Sequence, residues 1–140
     1  MIRPKVLFLC SVNSCRTQMA EAFLRDIGGD RFEPLSAGGE AAVALDPDAV
    51  LAMLEVGIDI SGQQPKRVDP FMRERVSYLV TLCDRETERA CPIFPGAFWR
   101  LKWPIENPAI AADRDEHRAL VRRARDEIRE RVNQFVREHS

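Results

Sequence analysis

One short stretch near the N-terminus, Cys10-Ser11-Val12-Asn13-Ser14-Cys15-Arg16-Thr17, combines residue types suited to nucleophilic chemistry on an anion. A Cys10 thiolate would supply the nucleophile, and Arg16 can hold two anion oxygens in its planar fork. The residues between them are small and carry no negative charge. Their successive N–H groups can converge on a tetrahedral oxyanion, assisted by the partial positive charge of a following helix N-terminus. The same field is expected to lower the Cys10 pKa, with Thr17 donating a hydroxyl hydrogen bond to the sulfur. Cys15, inside the loop, is expected to be a small filler. The Cys-x5-Arg spacing alone is weak, since four cysteines in so arginine-rich a chain give about half a match by chance. A second match, Cys83 to Arg89, encloses Asp84, Glu86 and Glu88, which would repel an anion.

Two further thiols, Cys83 and Cys91, stand eight positions apart. They suit redox chemistry or burial in a core. A structural zinc site is not expected, because the spacings lack the tight Cys-x2-Cys knuckle. His117 and His139 fit no ligand motif, so the chain is expected to carry no metal and no cofactor.

A scaffold must position these groups. The 140 residues suit a single domain, are 45% hydrophobic and 31% charged, and carry a net charge of -1. That balance argues against nucleic acid or an anionic membrane surface as partner. The longest apolar run, Val6 to Cys10, is far too short to span a bilayer, and no signal peptide is evident. A cytoplasmic location is therefore expected, where cysteines serve catalysis or redox exchange rather than structural disulfides. Lys5–Cys10 reads as a buried strand, Phe32–Gly38 and Ser77–Cys83 as two more, and Phe98–Trp103 as a fourth. Helical periodicity covers Ser14 to Ile27. A second helix, capped by Asp46-Pro47, runs to about Val56 with Val50, Met53 and Leu54 as its apolar face. A long amphipathic helix starts near Asp113. The alternation predicts one α/β domain, a four-stranded, mostly parallel sheet flanked by helices, with ligands beyond the carboxyl ends of strands. Cys10 and Cys83 both fall at such ends.

The run Leu9 to Glu21, with Leu35-Ser36-Ala37-Gly38, Gly57-Ile58-Asp59-Ile60-Ser61, Val80-Thr81-Leu82-Cys83 and Cys91-Pro92, resembles the low-molecular-weight tyrosine phosphatase superfamily. It is more similar still to the thioredoxin-coupled arsenate reductases on that fold. The resemblance implies arsenate as substrate, phosphate or sulfate as competing anions, and thioredoxin as reductant. It also implies a relay in which Cys10 attacks arsenate, Cys83 attacks Cys10, and Cys91 attacks Cys83, with Cys91 travelling inward on a looping segment. The alternatives are a phosphatase that needs only Cys10, and a module that merely binds an oxyanion or arsenite. Two departures stand out. Where the family has a general-acid Asp before Pro108, this chain has Asn107; Glu106 is the adjacent carboxylate. Some family members hold a potassium ion near the loop. Asn13 and Ser36 match two of its ligands, but Lys66 stands at a third, so an ammonium is expected in the cation's place.

Overall fold

The computed structural model describes residues 3–85 and 87–139. Glu86, part of the acidic stretch noted above, lies outside the described residues. Four strands form one sheet: β1 (Lys5–Val12), β2 (Glu33–Glu40), β3 (Val76–Thr81) and β4 (Ala97–Lys102). Their order is β2-β1-β3-β4 and every pairing is parallel. The central strand β1 is apolar on both faces because both are covered, the pattern expected of a parallel sheet. Three α-helices accompany it, α1 (Arg16–Gly28), α2 (Pro47–Leu54) and α3 (Arg114–His139).

The alternation of β1 side chains defines two cores. Val6 and Phe8 point into a large one with Val80 and Leu82, Met19 and Phe23 of α1, Met53 of α2, and Ile128 and Phe135 of α3. Leu7 and Leu9 point the other way, onto Ala37, Val68, Leu79 and Phe94. All three α-helices thus gather on one face, and loop residues cover the other. Each large apolar side chain buried here contributes about 1.5–3 kcal/mol relative to exposure.

The boundaries differ from the sequence reading in instructive ways. Strand β1 passes Cys10 to Val12, because Val12 still pairs with Glu40 of β2. Helix α1 starts at Arg16 rather than Ser14, since Asn13 and Ser14 form a turn. Asp46 does cap α2, its carboxylate accepting from the Asp48 N–H at 2.9 Å. That helix buries Ala49, Ala52 and Met53, however, while Leu54 is half exposed. The helix meets α3 through Asp48, the Ala52 carbonyl oxygen and Glu55, just beyond its end, which engage Arg118, Arg122 and Arg125.

Candidate active site

The loop from Cys10 to Thr17 joins the end of β1 to the start of α1. Cys10, Asn13, Arg16 and Thr17 are buried, and Cys15 and Ser11 nearly so. Cys15 is the N-cap of α1 and offers no side-chain cap bond, which leaves the first N–H groups of the helix open to an anion. Gly38 of β2 makes room for the loop. A Cβ there would lie 2.7 Å from the Asn13 nitrogen and 2.6 Å from the Glu40 carbonyl oxygen.

Backbone groups from two other strand ends fix Arg16. Its Nη1 donates to the carbonyl oxygens of Leu82 at 3.2 Å and Ile105 at 2.8 Å. One edge of the guanidinium is thereby anchored, so the fork is rigid before any ligand arrives.

A second tier holds the loop from behind. The Asn13 Oδ1 accepts from Gln18 Nε2 at 2.6 Å and from the Lys66 N–H at 2.8 Å, while Asn13 Nδ2 donates to Thr17 Oγ1 at 2.7 Å. The Thr17 hydroxyl oxygen is thus engaged with Asn13. No Thr17 bond to the Cys10 sulfur, as the sequence reading expected, is found among the described residues; Cys10 interacts instead with the Ser11 N–H. Deeper still, Ser36 Oγ donates to Glu21 Oε1 at 2.6 Å and Arg25 pairs with Glu21 Oε2 at 2.7 Å. Lys66 Nζ lies 3.5 Å from both Glu21 Oε1 and Ser36 Oγ, and 3.3 Å from the Gln64 carbonyl oxygen. An ammonium therefore stands among oxygens of the kind a potassium ion would take.

The distant cysteines arrive by strand pairing. The Leu82 N–H donates to the Leu9 carbonyl at 3.0 Å, which carries Cys83 alongside Cys10. The two sulfurs are 3.7 Å apart, and Cys83 in turn interacts with Cys91. Cys91 reaches this position because Gly39 lets its neighbours approach: a Cβ on Gly39 would lie 3.0 Å from the Ala90 carbonyl oxygen. All four cysteines are free thiols.

The thiols do not titrate as the sequence reading expected. The Cys83 contact and then burial push Cys10 up, against the pull of Arg16 and the Ser11 N–H. Cys83 is drawn down by Cys10, but Cys91 and burial leave it raised to about 11. Cys91 is lowered, chiefly by its hydrogen bond with Cys83. Burial pushes Cys15 up, consistent with an unreactive filler.

Asp84, directly after Cys83, is held on three sides. Asp84 Oδ1 accepts from the Thr87 N–H and hydroxyl at 3.0 and 2.7 Å, and Asp84 Oδ2 accepts from the Asn107 N–H at 2.9 Å. Three donors keep Asp84 ionised and unsuited to give a proton. Asn107 Oδ1 accepts from the Ala109 N–H at 3.1 Å, so its carbonyl caps the following 3-10 turn. Glu106 is exposed.

Sequence reasoning missed Glu21, Asp84 and a cluster of Asp46, Asp48 and His117. A carboxylate at a buried position of α1, between Ala20 and Ala22, was the available signal for Glu21. In the cluster, three donor atoms lie within 4.8 Å of one another, the reach a metal ion would need. They are already committed to one another and to Arg118: His117 Nε2 is 2.7 Å from Asp46 Oδ2, and Arg118 Nε is 3.3 Å from Asp48 Oδ1. This is an ion-pair network. Among the described residues no helix is long and apolar enough to cross a membrane.

A loop carrying Cys10 and Arg16 joins a parallel strand to a helix, with its arginine pinned from the next two strand ends. The chain belongs to the low molecular weight phosphotyrosine protein phosphatase family, whose profile matches residues 5–139. Within it, the chain is 40% identical over 137 residues to an arsenate reductase of Halalkalibacterium halodurans, covering 97% of each. It is 41% identical over 132 residues to an arsenate reductase of Bacillus subtilis, covering 94% of each. Among solved structures, an arsenate reductase in a phosphate-binding state superposes with a TM-score of 0.82 at 30% identity, covering 98% of this chain and 99% of that one. A thioredoxin-dependent arsenate reductase of Corynebacterium glutamicum superposes with a TM-score of 0.74 at 27% identity, covering 99% of this chain and 64% of that one.

Proposed function

We propose that this chain reduces arsenate to arsenite through Cys10, Cys83 and Cys91, with thioredoxin as the external reductant. The carrying observation is the approach of two free thiols, Cys10 and Cys83, to 3.7 Å at the start of an oxyanion loop, with a third, Cys91, acting on Cys83. The arsenate reductases among the relatives support the substrate. N–H groups from Ser11 to Thr17 and the Arg16 fork bind the anion. Cys10 attacks arsenic as its proton passes to a departing arsenate hydroxyl, which leaves as water. Cys83, as thiolate, then attacks the Cys10 sulfur. The Cys10–arsenic bond breaks, its electron pair passes to arsenic, and arsenite departs from a Cys10–Cys83 disulfide. Cys91 attacks Cys83, releasing Cys10 as thiolate and leaving a Cys83–Cys91 disulfide for a dithiol to reduce. Arsenate monoanion brings its own proton for the departing oxygen, so Asn107 need not supply one. Phosphate and sulfate, having the same shape, compete. The reducing cytoplasm is the compartment that suits such a cycle.

Mass spectrometry after one turnover with arsenate and no reductant tests this. The expected product is a Cys83–Cys91 disulfide. Four retained thiols would overturn the relay in favour of a phosphatase or a binding module. Multiple turnover should oxidise NADPH through thioredoxin reductase and thioredoxin.

A further inference from the structure

The cluster of His117, Asp46 and Asp48 lies outside the thiol chemistry but is wired to it. His117 Nδ1 is 2.9 Å from the Pro108 carbonyl oxygen, and Nε2 is 2.7 Å from Asp46 Oδ2 and 3.8 Å from Asp48 Oδ2. A carbonyl oxygen and an ionised carboxylate only accept, so both ring nitrogens must donate. That requires the imidazolium. The two acceptors belong to different parts of the site. Pro108 directly follows Asn107 and opens the 3-10 turn that Asn107 caps. Asp46 sends its own backbone N–H to the Ser14 carbonyl oxygen, inside the oxyanion loop, at 2.9 Å.

We propose that His117 is a positioning residue for the oxyanion loop: as an imidazolium it clasps the Asn107–Pro108 turn to Asp46, and through Asp46 it holds Ser14 in place. The inference rests on the reading of Cys10–Thr17 as an oxyanion site, but not on the redox relay. A second effect runs in the same direction. Asp46 and Asp48 act on the loop electrostatically, helping to push the Cys15 thiol up, and a protonated His117 offsets charge that would oppose an incoming anion. The other charged groups nearby do not replace it. Arg118 engages Asp48. Asp113 and Glu116 accept from backbone N–H groups at the start of α3. Asp84 is taken up by Thr87 and Asn107.

Burial pulls the imidazole down, but the hydrogen bonds to Asp46 and Pro108 and the two carboxylate charges outweigh it, so its pKa stands above the ordinary 6.5. A raised pKa means the clasp is whole at pH below the ordinary value. It is lost as pH rises through the folded-state value.

Sulfate is a suitable probe, being tetrahedral and of constant charge around neutral pH. Its affinity is measured across that range for the reduced protein and for His117→Gln, whose amide is neutral and does not titrate there. The ratio of the two affinities cancels the titration of thiols common to both. A ratio of about ten is expected while His117 is protonated, falling to one above its titration. A ratio of one throughout, or a ratio that ignores pH, would overturn the clasp. By reciprocity, saturating sulfate must raise the His117 pKa of the unaltered protein by about one unit, read by NMR with His139 as internal control. This second measurement stands even if the variant does not fold, and an unmoved His117 would refute the proposal. Absence of sulfate binding at any pH would instead overturn the oxyanion site itself, and the clasp with it.

Discussion

Lys66→Ala should turn a potassium-indifferent protein into a potassium-responsive one. The Glu21 side chain is only 7% exposed and meets Ser36, Arg25 and Lys66. Removing the ammonium leaves a buried carboxylate short of one counter-charge. A fully buried pair costs about 3–5 kcal/mol to break, an exposed one about 0.2–1. The Lys66 side chain is 36% exposed and its contacts are 3.5 Å long, which places the loss near 1.5 kcal/mol, about 5 °C in Tm. The vacated position is bordered by Glu21 Oε1, Ser36 Oγ and the Gln64 carbonyl oxygen, all hard donors. If potassium binds there with a Kd of about 10 mM, about 0.1 M restores about 1.4 kcal/mol, nearly the whole deficit. Thermal melts in potassium chloride and in sodium chloride of equal ionic strength provide the assay. The unaltered protein should melt identically in both, and the variant should recover in potassium. Potassium stabilisation of the unaltered protein, or a variant as stable as the parent in sodium, would refute the reasoning.

Further predictions concern the thiols and the loop. Cys83→Ala removes the contact that most raises Cys10, so the Cys10 thiolate should form at lower pH, seen as thiolate ultraviolet absorbance; an unchanged titration would mean that burial alone holds the proton. Asn107→Asp should raise turnover of an aryl phosphate proportionally more than arsenate turnover, because only the ester needs an external proton donor. The Asp84 carboxylate that accepts from the Asn107 N–H should help keep the introduced acid protonated. Equal gains on both substrates would count against that account. Gly38→Ala should destabilise by about 2 kcal/mol or more and weaken sulfate binding, since its Cβ would press on the Asn13 nitrogen; a neutral melt and normal binding would show that the loop yields.

The oxyanion loop was legible because its chemistry is local: a nucleophile, an arginine and small residues lie within eight consecutive positions. The strands were legible from their apolar runs. Strand ends were not, because a parallel partner decides how far pairing continues, as Glu40 does for Val12. The expected low Cys10 pKa failed for a similar reason. Arg16 acts as expected, but the Cys83 sulfur, 73 positions away in sequence, acts more strongly. Leu54 looked like a core residue by type, yet the rotation of α2 against α3 faces it outward.

By itself the sequence determined which groups could do chemistry: the Cys10–Thr17 loop, the pair Cys83 and Cys91, the missing acid at Asn107 and the lysine at position 66. The loop and the cysteine pair are legible from residue type and near-neighbour spacing, and Asn107 and Lys66 stand out through the family resemblance. The tertiary structure alone decided which groups meet. It set Cys83 beside Cys10 and Arg16 on the Leu82 and Ile105 carbonyls, and brought Lys66 to Glu21. His117 meets Asp46 across 71 positions. Such contacts depend on parallel strands delivering their ends to one rim and on helices packing to one face, and no local pattern encodes them.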